Sequence, residues 1–265
     1  TAYEIPKRDW SSDVCSSDLL SRQFGVPIVE DNAHGLFGKY QGQWLGTFGA
    51  LATQSFHETK NISCGEGGAL LINDESLCER AEVLREKGTN RSRFFRGQVD
   101  KYTWIDLGSS YLPSDALAAL LLAQLEMADA VQQRRHELWD RYAEELADWA
   151  DDQQVGLPVV PRDCEHPAHL FYTVLPSLED RHALIDHLRQ RGICSAFHYQ
   201  ALHLSPMGRS WGGRPGQCPV TERLGDCLTR LPLFYELTDN DQDRIIDAVT
   251  SYRVRTKVKS QRRAA

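Results

Sequence analysis

Two short segments of the sequence carry side chains with complementary chemistry. The segment VEDNAH places Asp31 at the end of an apolar run, and SFHETKN carries Ser55 and Lys60. A lysine can hold an aldehyde as a Schiff base, and a carboxylate can keep a pyridine nitrogen protonated so that the ring accepts electrons. Asp31 and Lys60 therefore supply the pair of groups that pyridoxal 5′-phosphate chemistry requires.

Each of these residues also has a simpler interpretation when it is taken alone. An aspartate after a strand often caps a helix or a turn, and a lysine in a polar loop is often a solvated surface group. His34 is as consistent with a packed histidine bonded to backbone as with a ligand. Ser55 and the glycine-rich stretch CGEGG offer a hydroxyl and backbone N–H groups for a phosphate. The combination and its spacing carry the prediction.

The elements that must position these residues can be predicted from apolar runs. Residues 26–30 and 51–56 predict buried parallel strands with polar residues at their carboxyl ends, which is where open α/β sheets bind ligands. A third strand is expected at 67–74 and a helix at 75–87. A basic loop, 88–104, comes next.

A long helix and a second α/β region complete the predicted organisation. Ser114, or Asp115 beside it, is the predicted N-cap of one helix that runs to about Trp149. A strand, a helix and a strand are expected further along, followed by two more helices. Their predicted ranges are 170–175, 178–191, 193–199, 221–228 and 240–254. We therefore predict a large domain at 20–150, a small domain at 151–255 and a basic tail at 256–265.

Composition and charge exclude several function classes. The chain has 265 residues, a formal net charge of −7 and 41% hydrophobic residues, as an ordinary globular protein has. Outside the C-terminal tail it has no basic cluster for nucleic acid, no apolar run for a membrane span and no signal peptide. Its seven cysteines show no metal-like spacing, so we expect free thiols, no metal site and a cytoplasmic protein.

The segment RDWSSDVCSSDLL, 8–20, differs from the rest of the sequence. It offers no apolar face at strand or helix spacing. Translated back into DNA, 9–19 resemble a widely used short-read sequencing adapter, and the alternative is a Ser/Asp-rich loop. We therefore predict that 1–19 are an artefact, that the coding sequence resumes near Leu20, and that early strands of the large domain are missing. Such a shortened chain is expected to fold poorly and to have little activity.

Longer motifs resemble one enzyme family across 20–252. The segments VPIVEDNAHG, FHETKN, EKGTNRS, GQVDKYTW, FHYQALH and RLPLFYELT resemble the nucleotide-sugar aminotransferases of the fold-type-I pyridoxal phosphate superfamily. The resemblance implies an α/β fold with an incomplete large domain, a mostly parallel sheet and a smaller C-terminal α/β domain.

The resemblance also implies roles for the residues of the cofactor site. Lys60 would be the Schiff-base lysine and would later move the proton between the cofactor and the sugar carbon. Asp31 would pair with the pyridine nitrogen, His34 would touch the ring hydroxyl, and Ser55 would hold the phosphate. Many relatives donate an asparagine to the phosphate of the partner's cofactor; this chain has GSSYLPSD there, where Ser109 or Ser110 could substitute.

The expected substrates follow from the same resemblance. L-glutamate would give its amino group to the 4-keto carbon of dTDP-4-dehydro-6-deoxy-D-glucose in a homodimer whose subunits share each site. The expected substrate-binding residues are Arg91, Arg93, Lys101, His198, Tyr199 and His203. A solvated basic loop is the alternative for the first three of them. Lys60 argues against the related dehydratases, which have histidine at that position. A different keto nucleotide sugar and a non-catalytic regulatory protein remain open alternatives.

Overall fold

The computed structural model describes residues 14–255, which form ten α-helices, two short 3-10 helices and nine strands. The helices are α1 Val14–Phe24, α2 Cys78–Arg85, α3 Arg91–Phe95, α4 Asp115–Glu126, α5 Ala128–Glu145, α6 Ala147–Gln153, α7 Leu178–Arg189, α8 Pro206–Ser210, α9 Pro219–Cys227 and α10 Asp239–Ser251. The strands are β1 Val29–Asp31, β2 Lys39–Tyr40, β3 Gln43–Trp44, β4 Leu51–Ser55, β5 Gly68–Ile72, β6 Cys164–Glu165, β7 Phe171–Val174, β8 Ala196–Phe197 and β9 Leu228–Leu231.

The chain divides into two compact units. Of the described residues, the first unit contains those up to Ala128 together with Val160–Pro167, and the second contains Asp129–Val159 together with those from Ala168 onward. α5 and α6 belong to the second unit, although they lie before residue 150 or across it. The predicted domain division after residue 150 stays a prediction. Among the described residues, no helix is long and apolar enough to cross a membrane.

The sheet of the first unit has the order β1-β4-β5. β1 runs parallel to β4, as predicted, with Asp31 opposite Thr53, whereas β5 runs antiparallel to β4 with Ser55 opposite Gly68. A parallel pair needs a long crossover, usually a helix, and the loop 56–67 between β4 and β5 contains none. The α/β class is confirmed, and the described part of the sheet is mixed rather than mostly parallel.

The strand expected at 26–30 is shorter and less buried than its sequence suggests. β1 begins only at Val29, and Val26 and Val29 are 60% and 58% exposed. Their run of apolar residues predicts burial on both faces, but no described element covers these side chains. The neighbouring strand β4 follows the prediction better, because Ala52 is fully buried.

Three helices replace the single long helix predicted from 114 to about 149. Ser114 is the N-cap, as predicted, and its Oγ accepts from the Leu117 N–H at 3.3 Å. The helix is interrupted at Met127 and again at Leu146, each of which flanks the next helix. α4 has no buried side chain, whereas α5 buries one face, so the apolar stripe does not continue across the interruption.

The second unit is built on the antiparallel sheet β7-β9-β8. Trp139 and Tyr142 of α5 contact the ring of Phe171 at centroid distances of 5.4 and 5.1 Å. Ser177 and Thr238 cap α7 and α10 through their side-chain oxygens. The predicted strand-helix-strand unit is present, but β9, which the sequence did not indicate, lies between its two strands.

Two further predictions concern segments outside the sheets. The basic loop predicted at 88–104 contains a short helix, α3. The Ser/Asp-rich segment is partly helical, since α1 begins at Val14. Its earlier residues, like the basic tail at 256–265, lie outside the described residues, and the adapter origin stays a prediction.

Candidate functional site

Lys60 lies on the loop that connects β4 to β5, and backbone hydrogen bonds fix this loop at its base. The Phe56 N–H donates to the Gly67 carbonyl at 2.8 Å, and the Cys64 N–H donates to the Phe56 carbonyl at 2.9 Å. The Asn61 side chain donates to the Pro167 carbonyl at 2.7 Å. Because this loop is closed by hydrogen bonds, the half-buried Lys60 is held at the end of the sheet.

The Asp31 carboxylate acts electrostatically on the Lys60 amine. β1 and β4 are parallel, so Asp31 ends its strand at the edge of the sheet from which the Lys60 loop departs. Partial burial lowers the pKa of Lys60 from its ordinary value, and the Asp31 carboxylate opposes this shift. The net direction is downward, which raises the neutral fraction of the amine.

Two other residues predicted for the cofactor site, Ser55 and His34, lie at or just after the ends of β4 and β1. Ser55 is the last residue of β4, and its Oγ accepts from the His57 N–H at 3.4 Å. His34 lies exposed in the turn after β1. These positions suit a phosphate and a ring substituent chemically, so the residue types fit pyridoxal phosphate, while the individual roles stay predictions.

Glu30 is a residue of this site that sequence reasoning missed. Its carboxylate accepts three backbone N–H groups, from Gly46, Phe48 and Gly49, each at 2.7 Å. Gly46 has φ +92°, a conformation that glycine adopts readily. Glu30 thereby ties the turn before β4 to the strand that ends in Asp31. The available signal was an acidic residue inside a strand, followed by the segment GTFG.

The basic segment 89–104 is paired with acidic side chains of the same unit. Arg91 donates to Glu86 at 2.6 Å, and Arg93 donates to Glu79 at 2.9 Å. Glu86 is buried and also forms an isolated β-bridge with Ser110. Lys101 is exposed and makes no ion pair within residues 14–255. The structure thus brings Arg91 and Ser110 to one glutamate, and both arginines are already engaged.

The other predicted substrate residues lie in the second unit, after β8. His198 is half-buried, Tyr199 is 75% exposed, and their rings are 5.6 Å apart. His203 Nε2 lies 2.8 Å from the Glu222 carboxylate. Glu222 also accepts from the Gly216 N–H at 2.9 Å, and these contacts lower its pKa, the Gly216 bond most strongly. Glu222 was not predicted, and it fixes His203 against the loop before α9.

Burial lowers the pKa of His198, and the nearby Arg230 guanidinium lowers it further. Arg230 was also absent from the predicted site. It lies in β9, directly opposite Ala196 of β8. Because β9 was not predicted, the position of Arg230 near His198 could not be predicted either.

Comparisons with known proteins place this chain in one protein family. The DegT/DnrJ/EryC1/StrS aminotransferase family model matches residues 11–250. The protein MJ1066 of Methanocaldococcus jannaschii, described as uncharacterized, is 30% identical over 240 residues, which are 87% of this chain and 61% of MJ1066. The chain therefore spans less than two thirds of the length of this relative.

Solved structures give the same result. DesV from S. venezuelae, solved in complex with a ketimine intermediate, is 32% identical with a TM-score of 0.79, over 90% of this chain and 61% of DesV. The aminotransferase TlmJ from Streptoalloteichus hindustanus is 27% identical with a TM-score of 0.78, over 90% and 61% of the two chains. The putative sugar aminotransferase Spr1654 from Streptococcus pneumoniae, in its PMP form, is 26% identical with a TM-score of 0.77, over 87% and 60%. The chain belongs to the DegT/DnrJ/EryC1/StrS aminotransferase family, whose members depend on pyridoxal phosphate.

Proposed function

We propose that this chain is part of a nucleotide-sugar transaminase, dTDP-4-amino-4,6-dideoxygalactose transaminase. The whole protein would move an amino group from L-glutamate to the 4-keto carbon of dTDP-4-dehydro-6-deoxy-D-glucose, giving dTDP-4-amino-4,6-dideoxy-D-galactose for enterobacterial common antigen synthesis. The observation that carries the proposal is the position of Lys60, on the loop after β4, at the sheet edge where the parallel strand β1 ends in Asp31, within a chain of this family.

Lys60 would hold the cofactor covalently and then act as the proton carrier. Bound pyridoxal phosphate supplies an electron sink that stabilises negative charge on the carbon that loses its proton. The lowered pKa of Lys60 leaves more of its Nζ neutral, so that Nζ can accept that proton and return it. Asp31 would keep the pyridine nitrogen protonated through its carboxylate.

The phosphate and ring substituent would be held by hydroxyl and imidazole groups. We assign Ser55, and Ser110 in a homodimer, to the phosphate, and His34 to the ring hydroxyl. Ser110 is exposed on the segment that bridges to Glu86, so its hydroxyl is accessible to a second subunit. This supports a shared site, which the family resemblance implies.

Substrate anions would meet the basic segment and the residues after β8. We assign Arg91, Arg93, Lys101, His198, Tyr199 and His203 to substrate binding. Arg91 and Arg93 would have to exchange their glutamate partners for substrate oxygens, whereas Lys101 is already accessible. Within the described residues, the segment therefore offers one cation without an ion pair, Lys101, and three that depend on an ion-pair exchange, since Arg96 is bound to Glu82.

Cofactor attachment tests the proposal without requiring turnover. The chain is incubated with pyridoxal phosphate, reduced with borohydride and mapped by mass spectrometry. We expect the reduced adduct at Lys60, and at no comparable level at Lys87, an exposed lysine of the same unit. A Lys60→Ala variant should lose the adduct and Lys87→Ala should keep it. Labelling that is spread over exposed lysines would contradict the assigned cofactor site.

Two alternatives require a separate comparison in the whole protein. Another keto nucleotide sugar would be indicated if amino transfer is faster with a 3-keto or a differently substituted 4-keto substrate. A non-catalytic regulatory role would be indicated if a partner or regulatory effect survives Lys60→Ala while no amino transfer is measurable with any keto sugar.

A further inference from the structure

Arg230 differs from the other arginines that are buried or half-buried. Among residues 14–255 there are seven such arginines, and six of them donate a hydrogen bond to a carboxylate or a carbonyl. The six are Arg91, Arg93, Arg134, Arg135, Arg141 and Arg181. The side chain of Arg230 makes no ion pair or hydrogen bond within the described residues, and its Nε is buried without a partner. A guanidinium stays charged, so withdrawing it from water without a partner is costly.

His198 and Tyr199 lie beside Arg230, and we call these three residues the Arg230 cluster. The Tyr199 ring lies 6.0 Å from the guanidinium carbon of Arg230 and 5.6 Å from the His198 ring. His198 Nδ1, like Arg230 Nε, is buried without a hydrogen-bond partner among the described residues. Two adjacent polar side chains therefore lack the partners that buried polar groups normally have.

An oxyanion would satisfy both of these groups. Carboxylate and phosphate oxygens accept from a guanidinium in a planar, two-point geometry and accept from an imidazole N–H. We propose that the Arg230 cluster is an anion-binding site for a carboxylate or phosphate group of a substrate. This inference rests on the proposed function for the identity of the substrates, which carry both kinds of anion.

One residue of the cluster, His198, lies at a cavity that has room for a ligand larger than a simple ion. His198 also lines an open cavity of about 670 Å³, together with Phe197, Gln200 and Glu222. This volume lies in the range of sites that bind small molecules. Tyr199 is largely exposed, so its ring is available to cover a bound group. The cavity lies entirely within the second unit.

Binding can be measured on the chain without cofactor. The ring C–H signals of His198, assigned by comparison with His198→Gln, are followed by NMR during titration with L-glutamate, thymidine diphosphate or inorganic phosphate. We expect at least one ligand to shift them saturably. Arg230→Gln should weaken that ligand's binding at least about tenfold, since a hydrogen bond to a charged group is lost. Arg230→Lys should bind with intermediate affinity. Arg223→Gln, which removes an exposed arginine of the same unit, should leave the affinity unchanged.

The ligands distinguish the two sources of the anion. A response to glutamate alone assigns the cluster to the amino donor, and a response to thymidine diphosphate and phosphate assigns it to the sugar nucleotide. The proposal is overturned if no ligand shifts His198, or if a folded Arg230→Gln binds as tightly as the unmodified chain. Lys60→Ala should not alter this binding. Failure of cofactor attachment would therefore refute the proposed function and leave the anion site standing.

Discussion

Glu30 makes the most concentrated set of hydrogen bonds near the candidate cofactor site. Both of its carboxylate oxygens are used: one accepts from Phe48 and Gly49, and the other accepts from Gly46. In a Glu30→Gln variant the amide oxygen can keep the first two bonds in a weaker, neutral form. The amide nitrogen would face the Gly46 N–H, so that two donors oppose each other.

The magnitude of this change follows from the three contacts. One hydrogen bond to a charged acceptor contributes about 1.5–3 kcal/mol, and the two retained bonds lose part of their strength when the acceptor becomes neutral. We expect Glu30→Gln to lower the free energy of unfolding of the first unit by about 3 kcal/mol. For a unit of this size, that corresponds to a melting temperature lower by roughly 10 °C.

Thermal unfolding followed by circular dichroism would measure the effect. Glu58→Gln is the matched control, because Glu58 is exposed and lies in the loop after β4. We expect the control to melt within about 2 °C of the unmodified chain, as surface substitutions usually do. If Glu30→Gln melts together with Glu58→Gln, the three backbone contacts do not stabilise this edge and the reasoning is wrong.

Three other substitutions test separate features of the two units. Asp31→Asn should lower the pKa of Lys60 further, because the Asp31 carboxylate raises that pKa. The pH dependence of reductive methylation at Lys60 measures this shift, and an unchanged profile would contradict the electrostatic effect of Asp31 on Lys60. If Arg91 binds substrate, Glu86→Gln should release Arg91 from its ion pair and strengthen the binding of thymidine diphosphate, measured by calorimetry. Equal or weaker binding would count against that role of Arg91. Arg135→Lys should lower the free energy of unfolding of the second unit by about 1–2 kcal/mol, measured by urea unfolding, because one ammonium cannot reproduce the two hydrogen bonds to the carbonyls of residues 168 and 169. Unchanged stability would show that those bonds contribute little.

Features set by neighbouring residues could be predicted from the sequence. The N-cap at Ser114 and the strands β4 and β5 depend on a few adjacent side chains, and all of them occur close to the expected positions. The sequence also predicted that the segments of Asp31 and Lys60 follow parallel strands, whose carboxyl ends lie at the same edge of a sheet, and β1 is parallel to β4. The individual roles of Asp31 and Lys60 at the cofactor stay predictions.

Features that depend on distant residues could not be predicted in this way. The small sheet β3-β2-β6 pairs Tyr40 with Cys164, and β9 lies between β7 and β8, the two strands of the predicted strand-helix-strand unit. Strands of two to four residues carry too few apolar positions to show a period. An acidic residue inside a strand and the segment GTFG signalled Glu30, but they did not identify its partners, because these are backbone groups, which every residue carries.

The arginines of the basic segment lead to a more general conclusion about anion binding in this chain. A row of glutamates spaced three and four residues apart lies along one face of α2 and its C-cap, and each glutamate binds one arginine of the segment. The pairs are Glu79 with Arg93, Glu82 with Arg96, and Glu86 with Arg91. An incoming anion must displace a carboxylate at each of these positions, and the energy gained is only the difference between two ion pairs. Arg230 has no carboxylate to displace among the described residues, so an anion that binds it would gain the full energy of the interaction. A count of basic residues alone would therefore rank the basic segment above the Arg230 cluster as an anion-binding site, which is the wrong order.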